Sequence, residues 1–222
     1  MPSVRPKKEA LHECPLISVA CCSPPIIGLS LFGRVKTVDL FIPSYAQYAW
    51  GMLASQFAPE IVSRLNALND THADVSKSAV FDADGTLWAG DSSETLLRWA
   101  EERGHISAPP GSVDVMSHYF NLVTADRAHG FGWAAQVFCG CTVDEVSRWA
   151  EECFSEKMVP AIFSEMEQLV RYFQARDWEV WIVSASPRFV LLPACNRLGV
   201  SPDRLLSVEL RVEQGVYTQE LL

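Results

Sequence analysis

The chain has 222 residues, 49% hydrophobic and 20% charged, with a net charge of −9. That composition is globular and excludes a disordered or collagen-like chain. An acidic balance argues against duplex nucleic acid, which needs a basic footprint, and offers no basic stripe to an anionic membrane.

Residues 1–43 are rich in proline and show neither helical nor strand periodicity, so they read as an irregular N-terminal arm. Their most apolar stretch, Pro15 to Phe32, is broken at Pro24-Pro25, and no apolar run anywhere is long enough for a membrane span. Lys7-Lys8 precede that stretch, but Glu9, His12 and Glu13 intervene, which does not suit a secretory leader. Seven cysteines (14, 21, 22, 139, 141, 153 and 195) form no CxxC pair and read as reduced thiols of a cytoplasmic chain. Cys139 and Cys141, with His129 nearby, are either metal ligands or small buried hydrophobes.

From Tyr45 the apolar residues recur at helical spacing through Tyr48, Ala49, Met52, Leu53 and Phe57. Pro59 opens a second helix carrying Ile61, Leu65 and Leu68, and Asn69-Asp70 ends it as a turn. Ser78 to Asp82 reads as a short buried strand that runs into Ala83-Asp84-Gly85-Thr86. Ser92 or Ser93 caps a helix through Arg103, with Gly104 as its stop. Helical spacing resumes over 113–139, interrupted around Gly130 and Gly132. Thr142-Val-Asp-Glu145 is a capping box for a helix to about Lys157. Pro160 opens the next helix, with Ile162, Met166, Leu169, Val170 and Phe173 on one face. Glu179 to Ser184 is a second β-run, Pro187 starts a helix that stops at Gly199, and Leu206 to Val212 reads as a third strand. Gly215 turns into Val216-Tyr217-Thr218. β-runs each followed by a helix, with a long helical stretch between them, predict an α/β fold with a helical insertion.

Chemistry concentrates at Val80-Phe81-Asp82-Ala83-Asp84-Gly85-Thr86-Leu87-Trp88. Two carboxylates at i and i+2 on a strand end both reach the crevice above the C-terminal edge of a parallel sheet, where such sheets bind ligands. Gly85 permits an unusual turn that brings amides toward an anion. A carboxylate nucleophile makes a labile acyl phosphate with a phosphoryl group. Two adjacent anions need a cation such as Mg²⁺ on carboxylate oxygens and water. Asp82 as nucleophile and Asp84 as acid/base form a coherent pair, with both as metal ligands. An Asp-rich turn closed by glycine is the bland alternative. A calcium loop does not fit, because Leu87 and Trp88 fall at ligand positions.

Phe81-Asp-Ala-Asp-Gly-Thr-Leu87 resembles the first motif of the haloacid dehalogenase superfamily, whose members are mostly aspartate-nucleophile phosphatases. Trp181-Ile-Val-Ser184-Ala-Ser186-Pro187 is similar to the second motif, in the version of phosphoserine and phosphorylcholine phosphatases. The resemblance covers about residues 78–218. It implies a Rossmann-like parallel core from residues 44–90 and 160–222, incomplete at its C-terminal side, with a helical cap over 91–159. It assigns Ser184 to hydrogen-bonding the phosphate, a role that competes with plain helix capping. Gly85, Thr86, Ala185, Ser186 and the amides opening the Pro187 helix are supporting phosphate-site candidates. Arg188 either offers positive charge to that phosphate or sits on a solvated helix face. Glu94 either selects the non-phosphate end of the substrate or is a helix-face carboxylate; Asp91 and Arg98 flank it. Trp99, Trp133 and Trp149 form either core or a choline-binding cage.

The family also uses a later Lys and a later acidic pair. No Lys follows Lys157, and Asp203 is the one Asp after Ser184. The expectation is therefore the front two-thirds of such an enzyme, acting with Mg²⁺ on a small phosphorylated metabolite. The alternative is an inactive truncated fragment or binding module. Dehalogenase chemistry on this scaffold is disfavoured by the second carboxylate, Asp84.

Overall fold

A computed structural model describes residues 16–20, 28–29, 57–69 and 76–222. The helix expected from Tyr45 lies outside the described residues except for Phe57, as do Asp70 and the Cys14, Cys21 and Cys22 thiols.

Strands β1 (Leu16–Ala20), β2 (Gly28–Leu29), β3 (Ser78–Asp82), β4 (Glu179–Pro187) and β5 (Leu205–Val208) form one sheet. Its order is β2-β1-β3-β4-β5, parallel throughout except for the edge pair β1–β2. β1 corrects the reading of residues 1–43 as wholly irregular. Leu-Ile-Ser-Val-Ala is too short to show a period, and only its pairing with β3 makes it a strand.

Seven helices are described: α1 (Pro59–Asn69), α2 (Ser92–Glu102), α3 (Val115–Ala125), α4 (Arg127–Gln136), α5 (Val143–Cys153), α6 (Ser164–Gln174) and α7 (Arg188–Leu198). From β1 the chain steps to β3, β4 and β5 in a single direction across the sheet. Right-handed crossovers then put α1, α6 and α7 on the same face. Burial follows that rule. Ala79, Phe81, Val180, Ile182 and Leu205 are buried, with Phe173 of α6 edge-on to Phe81 at 6.1 Å. Tyr172 of α6 donates its hydroxyl to Asn66 of α1 at 3.1 Å, and Gln174 of α6 donates to the carbonyls of Leu198 and Gly199 beyond α7. On the opposite face Val183 and Leu206 stay 40% and 55% exposed.

Helices α2 to α5 form the insertion between β3 and β4. Its outgoing and returning strands are stitched together: Ala89 N–H donates to Ala161 O at 2.9 Å, and Phe163 N–H to Leu87 O at 3.0 Å. That stitching corrects the helix start expected at Pro160. Val159–Ala161 is a 3₁₀ turn, and α6 begins only at Ser164, once the backbone leaves Leu87. The break between α3 and α4 falls at Asp126 rather than at the glycines. Asp126 caps α4 by accepting from Ala128 and His129 N–H. Gly130 instead lets α4 approach α3, since a Cβ there would lie 2.4 Å from Val123 Cγ2.

The capping box Thr142–Glu145 opens α5 as the sequence predicts, and a π turn (Phe154–Met158) follows Cys153. The strand expected over 206–212 is two strands. β5 belongs to the sheet, while β6 (Leu210–Glu213) pairs with β7 (Val216–Leu221) in a separate hairpin. That hairpin is tied to the insertion through Gly140 N–H to Tyr217 O and Tyr217 N–H to Cys141 O.

Candidate active site

β3 ends at Asp82, and the next residues turn back under it. Gly85 sits at φ +73°, a left-handed conformation that disfavours any side chain, and its N–H donates to Gly90 O at 3.2 Å. Thr86 and Leu87 N–H both donate to Ala83 O. The amides of Gly85 and Thr86, expected to face an anion, are thus consumed in closing the turn. The Thr86 hydroxyl donates to Asp82 Oδ2 at 3.0 Å, which fixes that carboxylate.

Asp84 is the hub. Its Oδ1 accepts from Trp88 Nε1 at 2.8 Å and from Ser92 N–H at 2.7 Å. Its Oδ2 accepts from Ser186 Oγ at 2.6 Å, Ser92 Oγ at 3.1 Å and Ser184 Oγ at 3.5 Å. Ser186 in turn accepts from Ser93 Oγ at 2.7 Å. Trp88, Ser92, Ser93 and Ser186 are all buried, so the lattice of hydroxyls around Asp84 is shielded from solvent and its bonds are strong.

β4 reaches this edge because Val183 pairs with Asp82, putting Ser184 one residue past the row of Asp82. A register shift between Val183 and Pro187 swings Ser184 and Ser186 toward Asp84. Ser186 N–H donates to Ser184 Oγ at 3.1 Å, leaving the Ser184 hydroxyl hydrogen pointed at the carboxylate cluster, while Ala185 is exposed.

Helix α2 begins at the same place. Its cap is Asp91, not Ser92 or Ser93: the Asp91 carboxylate accepts from Glu94 N–H at 2.9 Å. The two serines are drawn into the Asp84 lattice instead. Burial, then the Asp84 charge, pushes the Asp91 carboxyl up to about 6. Burial also raises Asp82, opposed by the Thr86 and Ala83 hydrogen bonds and reinforced by Asp84. Tyr119 of α3 is 2% exposed, and burial together with Asp91, Glu94 and Asp84 pushes its phenol upward. Asp82, Asp84, Asp91, Glu94 and Tyr119 therefore share one electrostatic neighbourhood. Among the described residues no Lys or Arg forms an ion pair with any of them.

Two other candidates lie elsewhere. The Arg188 guanidinium donates to Leu205 O, Pro202 O and Glu209 Oε1, fastening α7 to the loop before β5 rather than facing the carboxylates. Arg98 is exposed on α2 and faces Asp114. Trp99 and Trp149 are buried around His105, which stacks on Trp149 at 4.2 Å, and Trp133 packs against His118. They serve the interior of the insertion. Cys153 and Cys195 are buried with thiols raised to about 12 and about 11, the behaviour of small hydrophobes, and Cys139 and Cys141 are half-buried. No group of three or more His, Cys, Asp or Glu side chains suited to a metal occurs among the described residues. The donor set at the sheet edge still fits Mg²⁺: two hard carboxylates, unneutralised by a cation, to be completed by water and phosphate oxygens.

Residues 79–222 match the family model of the haloacid dehalogenase-like hydrolases. The chain belongs to that family. A phosphorylcholine phosphatase from Pseudomonas aeruginosa is 26% identical over 156 residues, covering 55% of this chain and 45% of that protein. The chain thus spans about half the length of this relative. Two solved structures share the fold. A Bordetella pertussis protein of unknown function is 18% identical, with TM-score 0.57 over 66% of each chain. A functionally unknown Anaerococcus prevotii protein is 13% identical, with TM-score 0.54 over 75% of this chain and 72% of that one. The haloacid dehalogenase-like assignment accounts for the joint appearance of an Asp-x-Asp turn after one strand and a serine at the end of its neighbour. Asp91, Ser92, Ser93, Trp88 and Tyr119 complete the site. Asp91-Ser-Ser before an apolar run signals a helix start, but nothing in the sequence announces the Ser93–Ser186 bond or the approach of Tyr119.

Proposed function

We propose that the chain is a phosphomonoester hydrolase acting on a small phosphorylated metabolite through an aspartyl-phosphate intermediate. The single observation that carries this reading is the convergence of Asp82, Asp84 and Ser184 at one sheet edge, with Ser184 Oγ 3.5 Å from Asp84 Oδ2. Thr86 holds Asp82 Oδ2 and so orients the other oxygen for attack on phosphorus. As the Asp82–phosphorus bond forms, the bond to the leaving oxygen breaks and that oxygen takes a proton from the protonated form of Asp84, which is left as the carboxylate. Asp84 then accepts a proton from the water that cleaves the aspartyl phosphate, releasing inorganic phosphate. The long Ser184 contact is the one that yields when Asp84 turns to substrate, which frees the Ser184 hydroxyl for a phosphoryl oxygen. Asp82 and Asp84 would hold Mg²⁺, which would supply charge neutralisation between the carboxylates and the phosphate.

The insertion (91–159) serves in this reading as the substrate-selecting cap over the core (44–90 and 160–222), with Glu94 at its base. A cytoplasmic setting suits the unpaired thiols of Cys139, Cys141, Cys153 and Cys195. A second reading, phosphate binding without turnover, is favoured by the fact that among the described residues no Lys or Arg forms an ion pair with Asp82.

Turnover of p-nitrophenyl phosphate by the purified chain with Mg²⁺ separates the two. The first reading expects activity that Asp82→Asn abolishes. Absent turnover, with phosphate binding that still depends on Asp82, establishes the second. The Asn variant should fold at least as well as the parent, because Asp82 ionises against its surroundings.

A further inference from the structure

Asp84 receives more hydrogen bonds than its carboxylate has good places for. An ionised carboxylate has about four lone-pair sites, and five donors converge on this one. The two at Oδ1, Trp88 Nε1–H and Ser92 N–H, carry fixed hydrogens and can only donate. A proton on Oδ1 would meet both of them head-on. Oδ2 faces hydroxyls alone, and a hydroxyl can rotate and accept as well as donate. Oδ2 is therefore the oxygen on which Asp84 can hold and release a proton.

The hold on Oδ2 is lopsided. Ser186 is 3% exposed and Ser92 is fully buried, and their hydroxyls lie 2.6 and 3.1 Å away. Ser184 is half-buried and sits at 3.5 Å. The loosely held side of Oδ2 thus looks toward Ser184, while the buried side is clamped by Ser186. Ser186 has one hydroxyl hydrogen, spent on Asp84, so it must accept from Ser93, 2.7 Å away. Ser93 stands in the first turn of α2 and Ser186 near the end of β4. The insertion and the sheet edge together fix where Oδ2 points.

Resting on the phosphatase reading, we propose that Ser186, braced by Ser93, is a positioning residue that aims Asp84 Oδ2 at the leaving oxygen of the substrate. As the Asp82–phosphorus bond forms and the bond from phosphorus to the leaving oxygen breaks, the proton on Oδ2 passes to that oxygen. Asp84 is left as the carboxylate to which Ser186 and Ser92 donate. A misplacement of about 1 Å in such a group costs about 100-fold in rate. The cost falls on substrates that need the proton. An alkyl alcohol leaves poorly as its anion, whereas p-nitrophenolate leaves well without a proton.

The test uses the full chain with Mg²⁺ and reads kcat/KM on butyl phosphate and on p-nitrophenyl phosphate, with the Kd of inorganic phosphate. kcat/KM covers the steps through departure of the alcohol, where the proton is given. Ser186→Ala should lower it about 100-fold on butyl phosphate and less than about threefold on p-nitrophenyl phosphate, with phosphate binding kept within about twofold. Ser93→Ala keeps the Ser186–Asp84 bond and should move the ratio of the two esters the same way, by about three- to tenfold. It decides the matter if Ser186→Ala does not fold. Gly130→Ala, whose added Cβ meets Val123 and not the serine lattice, should leave the ratio unchanged. Equal falls on both esters, the same change of ratio in Gly130→Ala, or phosphate binding lost with the Ser186 hydroxyl overturns the positioning role and leaves the phosphatase reading standing. So does a parent chain that hydrolyses p-nitrophenyl phosphate but not butyl phosphate. A parent chain without Asp82-dependent turnover of either ester overturns both.

Discussion

Removing the Ser186 hydroxyl tests whether the serine lattice around Asp84 is a coupled unit. Ser186 is 3% exposed and donates to Asp84 Oδ2 at 2.6 Å, a charge-assisted bond worth about 1.5–3 kcal/mol. Ser186→Ala also strands the Ser93 hydroxyl, which is 5% exposed and now donates to Ser186 at 2.7 Å. A buried hydroxyl left without a partner costs about 1–3 kcal/mol more. The expected loss is about 2.5–6 kcal/mol, a fall in Tm of about 5–24 °C for a chain of this size. Ser93→Ala alone leaves the Ser186–Asp84 bond in place and should cost about 0.5–1.5 kcal/mol. Because the double variant contains no stranded hydroxyl, it should lose less than the two single variants together, by about 1–2 kcal/mol. Urea denaturation of the four proteins closes the cycle. Single effects that add to within about 0.5 kcal/mol would refute the relay from α2 through Ser186 to Asp84.

Asp91→Asn should show a pH signature. The folded carboxyl lies near 6, above its ordinary 3.8, so its ionisation opposes folding. Below about pH 4 both states are protonated, and stability is lost as pH rises from there through 6. Asn keeps the cap on α2 and carries no charge beside Asp84 and Glu94, so the variant should gain about 1–2 kcal/mol at pH 7 and nothing at pH 3.5. Thermal melts at the two pH values check this, and equal gains at both would contradict it. Gly130→Ala should destabilise by about 1–3 kcal/mol although alanine is the better helix former, because the new Cβ meets Val123 backbone atoms at 2.7 and 2.8 Å. Gly132→Ala meets only the mobile end of Leu221 and should be neutral or mildly stabilising; matched denaturation curves distinguish the pair.

The Asp-x-Asp-Gly turn was legible without coordinates. Asp82 ends a five-residue strand with an apolar centre, Asp84 and Gly85 follow it, and the backbone of such a turn is dictated locally, by the strand's end and by a glycine that accepts a left-handed φ. The capping box at Thr142–Glu145 was legible for the same reason, since both of its bonds span three residues. Helix ends set by contacts from afar were not. Asp126 rather than the glycines divides α3 from α4, and α6 waits until Ser164 because Phe163 is bonded to Leu87.

The same division runs through the site. Local sequence singled out the candidates: an Asp at a strand end, a second Asp two places on, and a serine near the end of a second strand. Only the tertiary structure decided what each of them touches. It drew Ser92 and Ser93 from capping into the Asp84 lattice, bonded Ser186 to Asp84 and Ser93, and sent Arg188 to Leu205, Pro202 and Glu209. Those partners lie many residues apart along the chain. Their meeting depends on strand register and on how the helices pack, which no stretch of neighbouring residues encodes by itself.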